Sequence, residues 1–135
     1  MHNPWKARAY LAASTAVTAG TGMPLDTVSY DPNGMVATGA TGTARITIPV
    51  NGYYMVVGNI YASTPVNFLA EIWKNGAAMT FGTWPNTSSN ISMISDIVLL
   101  NAADYLQVVP VISGVTTNAS AGPSNFLAVH FLSPA

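Results

Sequence analysis

The chain has 135 residues, which suits one domain and is too short for two of ordinary size. Charged residues make up 7% of it, against about 25% in an average soluble domain. The formal net charge of −1 leaves no basic surface large enough to hold a phosphate backbone, so nucleic acid is not expected as a partner. The absence of Cys excludes disulfides, thiolate metal sites and cysteine nucleophiles.

Half of the residues are hydrophobic, yet no apolar run approaches the roughly 20 residues that cross a bilayer. The first six residues, MHNPWK, are not followed by an apolar stretch, so we expect neither a signal peptide nor membrane insertion. A chain with so few charges has two ways to shield its surface. Either Ser, Thr and Asn coat it, or other subunits cover much of it, and both can hold at once.

Glycines and prolines divide the chain into short segments of β-branched and aromatic residues, and helix signals are almost absent. Asp31-Pro32-Asn33-Gly34 is a turn signal, and Asn51-Gly52 and Asn75-Gly76 are hairpin signals. The pattern predicts an all-β, two-sheet antiparallel sandwich of about ten strands. We expect one domain over residues 7–135, preceded by an N-terminal arm over residues 1–6. The predicted strands are 7–14, 25–30, 35–38, 45–50, 53–61, 68–74, 77–81, 91–100, 105–112 and 125–132.

The last predicted strand is apolar on both faces, whereas an antiparallel strand facing water has one polar face. This indicates a sheet that packs on the core with one side and on a neighbouring subunit with the other. A central strand covered by a loop is the alternative. One face carries Phe126, Ala128, His130 and Leu132, and the other carries Leu127, Val129 and Phe131.

Several segments share their order and spacing with a known family: 7–10, 25–34, Ile48-Pro49-Val50-Asn51-Gly52-Tyr53-Tyr54, Lys74-Asn75-Gly76, Leu100-Asn101-Ala102-Ala103-Asp104, 106–108 and 125–132. The pattern covers nearly the whole chain. It resembles the jelly-roll domain of the C1q and tumour-necrosis-factor (TNF) superfamily, particularly the C1q-like domains of bacteriophage virion proteins. Ala103 and Ala128 depart from it, since the family usually has Gly at the first position and often at the second.

The resemblance implies a ten-strand jelly roll that assembles as a compact homotrimer, with the sheet of the first and last strands against the three-fold axis. It implies that Tyr54, Val56, Leu106 and Val108 face the core. It leaves open which face of the last strand points outward. The candidates for the trimer interface are Tyr10, Phe126, His130 and Phe131.

Catalysis is not expected, because an enzyme needs convergent ionisable groups and this chain has few. No nucleophile-elbow, zinc-protease or phosphate-loop motif occurs. His130 lies among apolar neighbours, which is typical of a packed or interface histidine. Asp26 and Asp31 could flank a cation, although turn aspartates are the simpler interpretation. We expect no cofactor and no metal.

Two further segments are candidates for binding. Trp84 begins a polar loop, where an exposed indole could stack on a sugar ring or could instead close one end of the sandwich. Trp5 and Lys6 lie in the N-terminal arm, which could dock onto a larger particle or could be a frayed end.

The leading hypothesis is a non-enzymatic phage structural protein, a homotrimeric capsid decoration or head-fibre protein on the virion surface. Its partners would be its own copies and the major capsid protein or another virion protein. The alternative is a tail-fibre tip module that binds a receptor or host surface glycan through loops at 83–90 and 114–124. A secreted signalling ligand of the TNF kind is a third hypothesis, which the expected lack of a signal peptide disfavours.

Overall fold

The computed structural model describes residues 5–83, 89–118 and 124–135, and this part of the chain forms strands and loops without a helix. Its strands are β1 (Lys6–Tyr10), β2 (Ala16–Val17), β3 (Thr27–Tyr30), β4 (Val36–Ala37), β5 (Arg45–Thr47), β6 (Gly52–Val66), β7 (Leu69–Lys74), β8 (Ala77–Phe81), β9 (Ser89–Leu100), β10 (Tyr105–Val111), β11 (Val115–Thr116) and β12 (Phe126–Ser133).

Ten of the described strands form two five-stranded antiparallel sheets. Sheet I has the order β3-β1-β12-β6-β9, and sheet II has the order β4-β5-β10-β7-β8. The short strands β11 and β2 pair at one end of the sandwich. The predicted fold class, an all-β sandwich of two antiparallel sheets with about ten strands, is confirmed. The first and last strands lie side by side in sheet I, as the resemblance implies.

The hydrophobic core fills the space between the two sheets, and strand alternation decides which residues enter it. Tyr54 and Val56 come from sheet I and Leu106 and Val108 from sheet II, and each is at most 1% exposed. The prediction that these four face the core is confirmed. The Tyr54 hydroxyl donates a hydrogen bond to the carbonyl of Val50 at 2.9 Å, and burial raises the pKa of Tyr54 above its ordinary value.

The two Asn-Gly pairs have different roles. Asn75 (φ 53°) and Gly76 (φ 83°) form the tight turn of the β7–β8 hairpin, because both central residues of this turn type need positive φ. The hairpin prediction for Asn51-Gly52 is wrong. The flanking strands β5 and β6 belong to different sheets, so this pair carries the chain across the sandwich. An Asn-Gly pair marks a reversal of direction, and the sequence does not say which sheet the next strand joins.

Most strand boundaries differ from the prediction by a few residues, and three differences are the largest. β1 begins at Lys6 and ends at Tyr10, four residues before the predicted end at Ser14. β6 continues through Thr64 and Pro65 to Val66, five residues beyond its predicted end at Tyr61. The two-residue strands β2 and β11 lie outside every predicted strand, because so short a pairing leaves no periodic signal.

The side of sheet II that points away from the core is partly covered by its own chain. The backbone amides of Gly20 and Met23 donate to carbonyls of β10, and Gln107 of β10 donates to the carbonyls of Gly42 and Ala44. Val109, on the same side as Gln107, is fully buried. This arrangement leaves sheet I as the sheet with a broad uncovered side.

Candidate functional site

The candidate site is the outward face of sheet I, meaning the side that points away from sheet II. Residues opposite one another in an antiparallel sheet share a face and contact each other. The strand register arranges this face in three rows across β1, β12, β6 and β9. They are Lys6–His130–Met55–Ile97, Arg8–Ala128–Val57–Ser95 and Tyr10–Phe126–Asn59–Met93.

Exposed apolar side chains concentrate on the strands of this sheet. Eleven large apolar residues of the described segments are exposed, and nine of them lie on sheet I; the other two are Phe81 and Ile112. On β9, the outward positions on either side of Ser95 hold the two most exposed of the nine, Ile97 at 58% and Met93 at 55%. An uncovered sheet with this composition is typical of a protein–protein contact. The nine are Val28, Tyr30, Tyr53, Met55, Ile91, Met93, Ile97, Leu99 and Leu132.

Arg8 places a cation among aromatic rings near the centre of the face. Its guanidinium carbon lies 4.4 Å from the centroid of Phe126 and 5.8 Å from that of Tyr10, which is cation–π geometry. Its Nη1 donates to Ser29 Oγ at 2.6 Å. The guanidinium is thus held next to these rings and carries its charge into the face.

A shallow depression of about 130 Å³ lies between the middle strands of the face. The small side chain of Ala128 sits within it, and its neighbours in the rows, Met55, Val57 and His130, form its sides together with Tyr30. The depression lies on the central strands, whereas the most exposed side chains protrude from the edge strand β9. The face therefore has two parts of different shape.

Three of the four predicted interface residues lie on the outward face: Tyr10, Phe126 and His130. Phe131 points the other way. Its ring packs edge-on against the buried Tyr54, with centroids 5.3 Å apart and planes at 74°, and it contacts the core. We therefore exclude Phe131 from the outward face of sheet I, because strand alternation places its side chain on the side opposite to that of its neighbour His130.

The structure places both described residues of the predicted arm on the sandwich. The side chain of Trp5 packs against the core, and its carbonyl accepts the amide hydrogen of Phe131 at 2.9 Å. Lys6 is the first residue of β1, on the outward face opposite His130. Trp5 is therefore part of the packed domain and not a free docking group. Trp84 lies outside the described residues.

Sequence reasoning missed the contribution of β9 and β6 to the face. Met93, Ile97 and Leu99 protrude from β9, and Met55 lies opposite Ile97 on β6. The signal was present, since alternate residues of β9 from Ile91 onward are apolar apart from one Ser. The sequence alone did not show which side of β9 faces outward, because the other side also carries apolar residues, Ile94, Val98 and Leu100.

Acidic side chains are taken up by local hydrogen bonds and do not gather into a site. The Asp31 carboxylate accepts the amide hydrogens of Met35 and Val36 at 2.7 and 2.8 Å, which makes it a turn residue. Asp26 accepts from the amide of Ala12 and the hydroxyl of Thr27. Within the described segments, no group of three potential metal-ligating side chains occurs. The same segments contain no helix long and apolar enough to cross a membrane.

Asp104 also serves a turn. Burial tends to raise the pKa of this carboxyl, but hydrogen bonds from the amide of Asn101 and the side chain of Asn75, together with the charge of Lys74, outweigh burial and lower the pKa below its ordinary value. The Lys74 ammonium lies 4.0 Å from Asp104 Oδ2. These contacts join the loop before β10 to the β7–β8 turn.

Comparison with solved structures identifies the architecture. The chain superposes on the TNF protein Eiger of S. frugiperda with a TM-score of 0.72 at 12% identity, over 99% of this chain and 96% of that one. Murine APRIL at pH 8.0 gives a TM-score of 0.68 at 9% identity, over 94% and 98%. The globular domain of zebrafish complement 1qA gives 0.62 at 12% identity, over 92% and 91%. The fold is the TNF/C1q jelly roll.

The TNF/C1q fold predicted from the residue pattern is thus confirmed, and at these identities the likeness establishes the fold alone. By sequence, the chain matches no family model and no curated protein. The bacteriophage part of the resemblance stays a prediction.

Proposed function

We propose that this chain is a self-assembling jelly-roll protein that forms a homotrimer through the outward face of sheet I and acts by binding, without catalysis. The observation that carries the proposal is the concentration of exposed large apolar side chains on the strands of this sheet, which hold nine of the eleven; of these nine, Val28 lies opposite the buried Ala9 and is not counted on the outward face. Burying such side chains is the main favourable contribution to protein association. A second copy of the chain is the simplest occupant, because it is always present.

The shape of the face supports a closed ring over a two-fold dimer. A two-fold dimer joins the same patch on both subunits, whereas a ring joins two different patches of each subunit. Here the surface around Ala128 is a depression, whereas the side chains of β9 protrude, so the two patches differ and have complementary shapes. Contact between the depression of one copy and the β9 edge of the next would be of the ring type. The homotrimer that the resemblance implies is the ring we propose.

The finer assignment is a capsid decoration or head-fibre protein on a phage virion, with the major capsid protein or another virion protein as the second partner. It is supported by the pattern of segments shared with phage C1q-like domains. The low charge content is compatible with it, because subunits that pack on one another and on a particle leave less surface for charges. In this role the trimer would contribute only binding.

The native mass from light scattering during gel filtration, repeated at high salt and at high dilution, tests the assembly. We expect three chains in every condition, because apolar contacts are insensitive to salt screening. A single chain would contradict the proposal. Attachment of the purified trimer to capsids that lack it tests the finer assignment. Failure to attach, together with glycan-array binding that Trp84→Ala abolishes, would replace it with the tail-fibre alternative.

A further inference from the structure

We propose that His130 makes this assembly sensitive to pH: the trimer forms while His130 is neutral and separates when His130 takes up a proton. The inference rests on the proposed self-association through sheet I. The property it predicts is the pH dependence of the oligomeric state.

The strand register places His130 between a cation and an apolar side chain. Its direct neighbour on β1 is Lys6, and its direct neighbour on β6 is Met55. Arg8 lies one row further along β1, opposite Ala128. Side chains directly opposite each other in a sheet interact, and like charges there are destabilising. A protonated His130 would therefore be a third cation beside Lys6 and Arg8.

No carboxylate on this face offsets that charge. All five acidic residues lie in the described segments, and each accepts hydrogen bonds elsewhere. The neighbours of His130 on the other strands are Tyr30 of β3 and Tyr53, Met55 and Val57 of β6, and Ile97 of β9 completes its row. The five acids are Asp26, Asp31, Glu71, Asp96 and Asp104.

Assembly would change the surroundings of His130 from water to protein. In the separate chain His130 is exposed, and it forms one side of the depression at the centre of the face. A neutral imidazole can be covered by an apolar partner at modest cost, whereas a charged group without a counter-ion strongly opposes burial. Histidine changes its charge between about pH 8 and pH 5. Acid should therefore separate the copies and leave each fold intact.

Three copies of His130 in one assembly make the effect steep. Each histidine that must lose its proton before burial lowers the association constant by up to about tenfold per pH unit below its titration midpoint. Three of them lower it by up to about a thousandfold per pH unit. A change of this size is visible as a shift from three chains to one at micromolar protein.

The experiment measures native mass against concentration at steps from pH 8 to pH 5, at constant ionic strength, for three chains. They are the unmodified chain, His130→Gln, which cannot titrate at this position, and Lys6→Gln, which keeps His130 and removes the opposing ammonium. Far-UV circular dichroism at each pH reports whether the jelly roll stays folded. If His130→Gln itself weakens the contact between copies, the pH dependence of the association constant of the unmodified chain still tests the inference.

We expect the unmodified chain to separate towards pH 5 while folded, His130→Gln to lose this dependence, and Lys6→Gln, which keeps His130, to retain it. A trimer that persists at pH 5, or equal acid sensitivity in His130→Gln, would overturn the inference while the proposed assembly stands. Tighter association at low pH would also overturn it, because a carboxylate of the neighbouring copy would then face His130. A single chain at pH 8 would overturn the proposed assembly and this inference together.

Discussion

Replacing Met55 and Ile97 together by Ser tests whether the outward face of sheet I holds the assembly. The two side chains are direct cross-strand neighbours on β6 and β9, and they are 43% and 58% exposed in the separate chain. The fold of one protomer therefore depends little on them. Assembly depends on them if copies pack on this face.

The magnitude follows from the area that remains to be buried. Complete burial of a Met or Ile side chain contributes about 1.5–3 kcal/mol, so the exposed half of each can contribute about 1–1.5 kcal/mol on assembly. Two residues in each of three copies then account for about 6–9 kcal/mol of trimer stability. Since about 1.4 kcal/mol is a factor of ten, the association constant should fall by roughly four to six orders of magnitude.

The assay is light scattering during gel filtration over a dilution series, for the double variant and for Phe81→Ser. Phe81 is a matched control, because it is 63% exposed but lies on the edge strand β8 of sheet II. We expect one chain for the double variant and three for the control. Three chains for the double variant at all dilutions, or equal dissociation of both, would refute the assignment of this face.

Three predictions concern the fold itself and are measured by urea denaturation. Gly52→Ala should destabilise it by about 1–3 kcal/mol, because the added carbon would collide with the Phe131 ring and with the carbonyl oxygen of Ser133; unchanged stability would show that both the ring and this backbone segment can move aside. Ala103→Gly should stabilise it by about 0.5 kcal/mol, because φ of 75° costs a non-glycine residue about 1 kcal/mol and the flexibility of Gly offsets about half. The lowered pKa of Asp104 favours the folded state above about pH 4, and this contribution is lost as the pH falls further. Asp104→Asn should therefore reduce stability at pH 7 more than at pH 3, and an equal loss at both would contradict this account.

Much of the architecture was predictable because strand patterning and turn chemistry are local. The resemblance to the TNF/C1q family implied that Tyr54 and Leu106 face the core, and the Asn75-Gly76 hairpin followed from residues that tolerate positive φ. Asn51-Gly52 carries the same signal, yet it joins strands of different sheets. The choice between hairpin and crossover depends on long-range pairing of β6 with β9 and β12, which no local signal encodes.

The surface was predictable only in part for a similar reason. The last strand showed apolar residues on both sides, which indicated that both are covered, but not which side meets the core. The packing of Leu127, Val129 and Phe131 decides which side meets the core. Leu127 and Val129 pack between the sheets, and Phe131 follows them towards the buried Tyr54. His130 is thereby left on the outward face, where a contact with another copy would reach it.

The most direct test of the central claim is the accessibility of the outward face in solution. The chain has no Cys, so Ser95→Cys, on β9 opposite Val57, introduces a single reactive thiol into the face. Ala78→Cys, on the exposed strand β8, is the control. If copies pack through sheet I, thiol modification at position 95 is much slower than at position 78. Equal rates at both positions, independent of protein concentration, would contradict the claim that this face is covered.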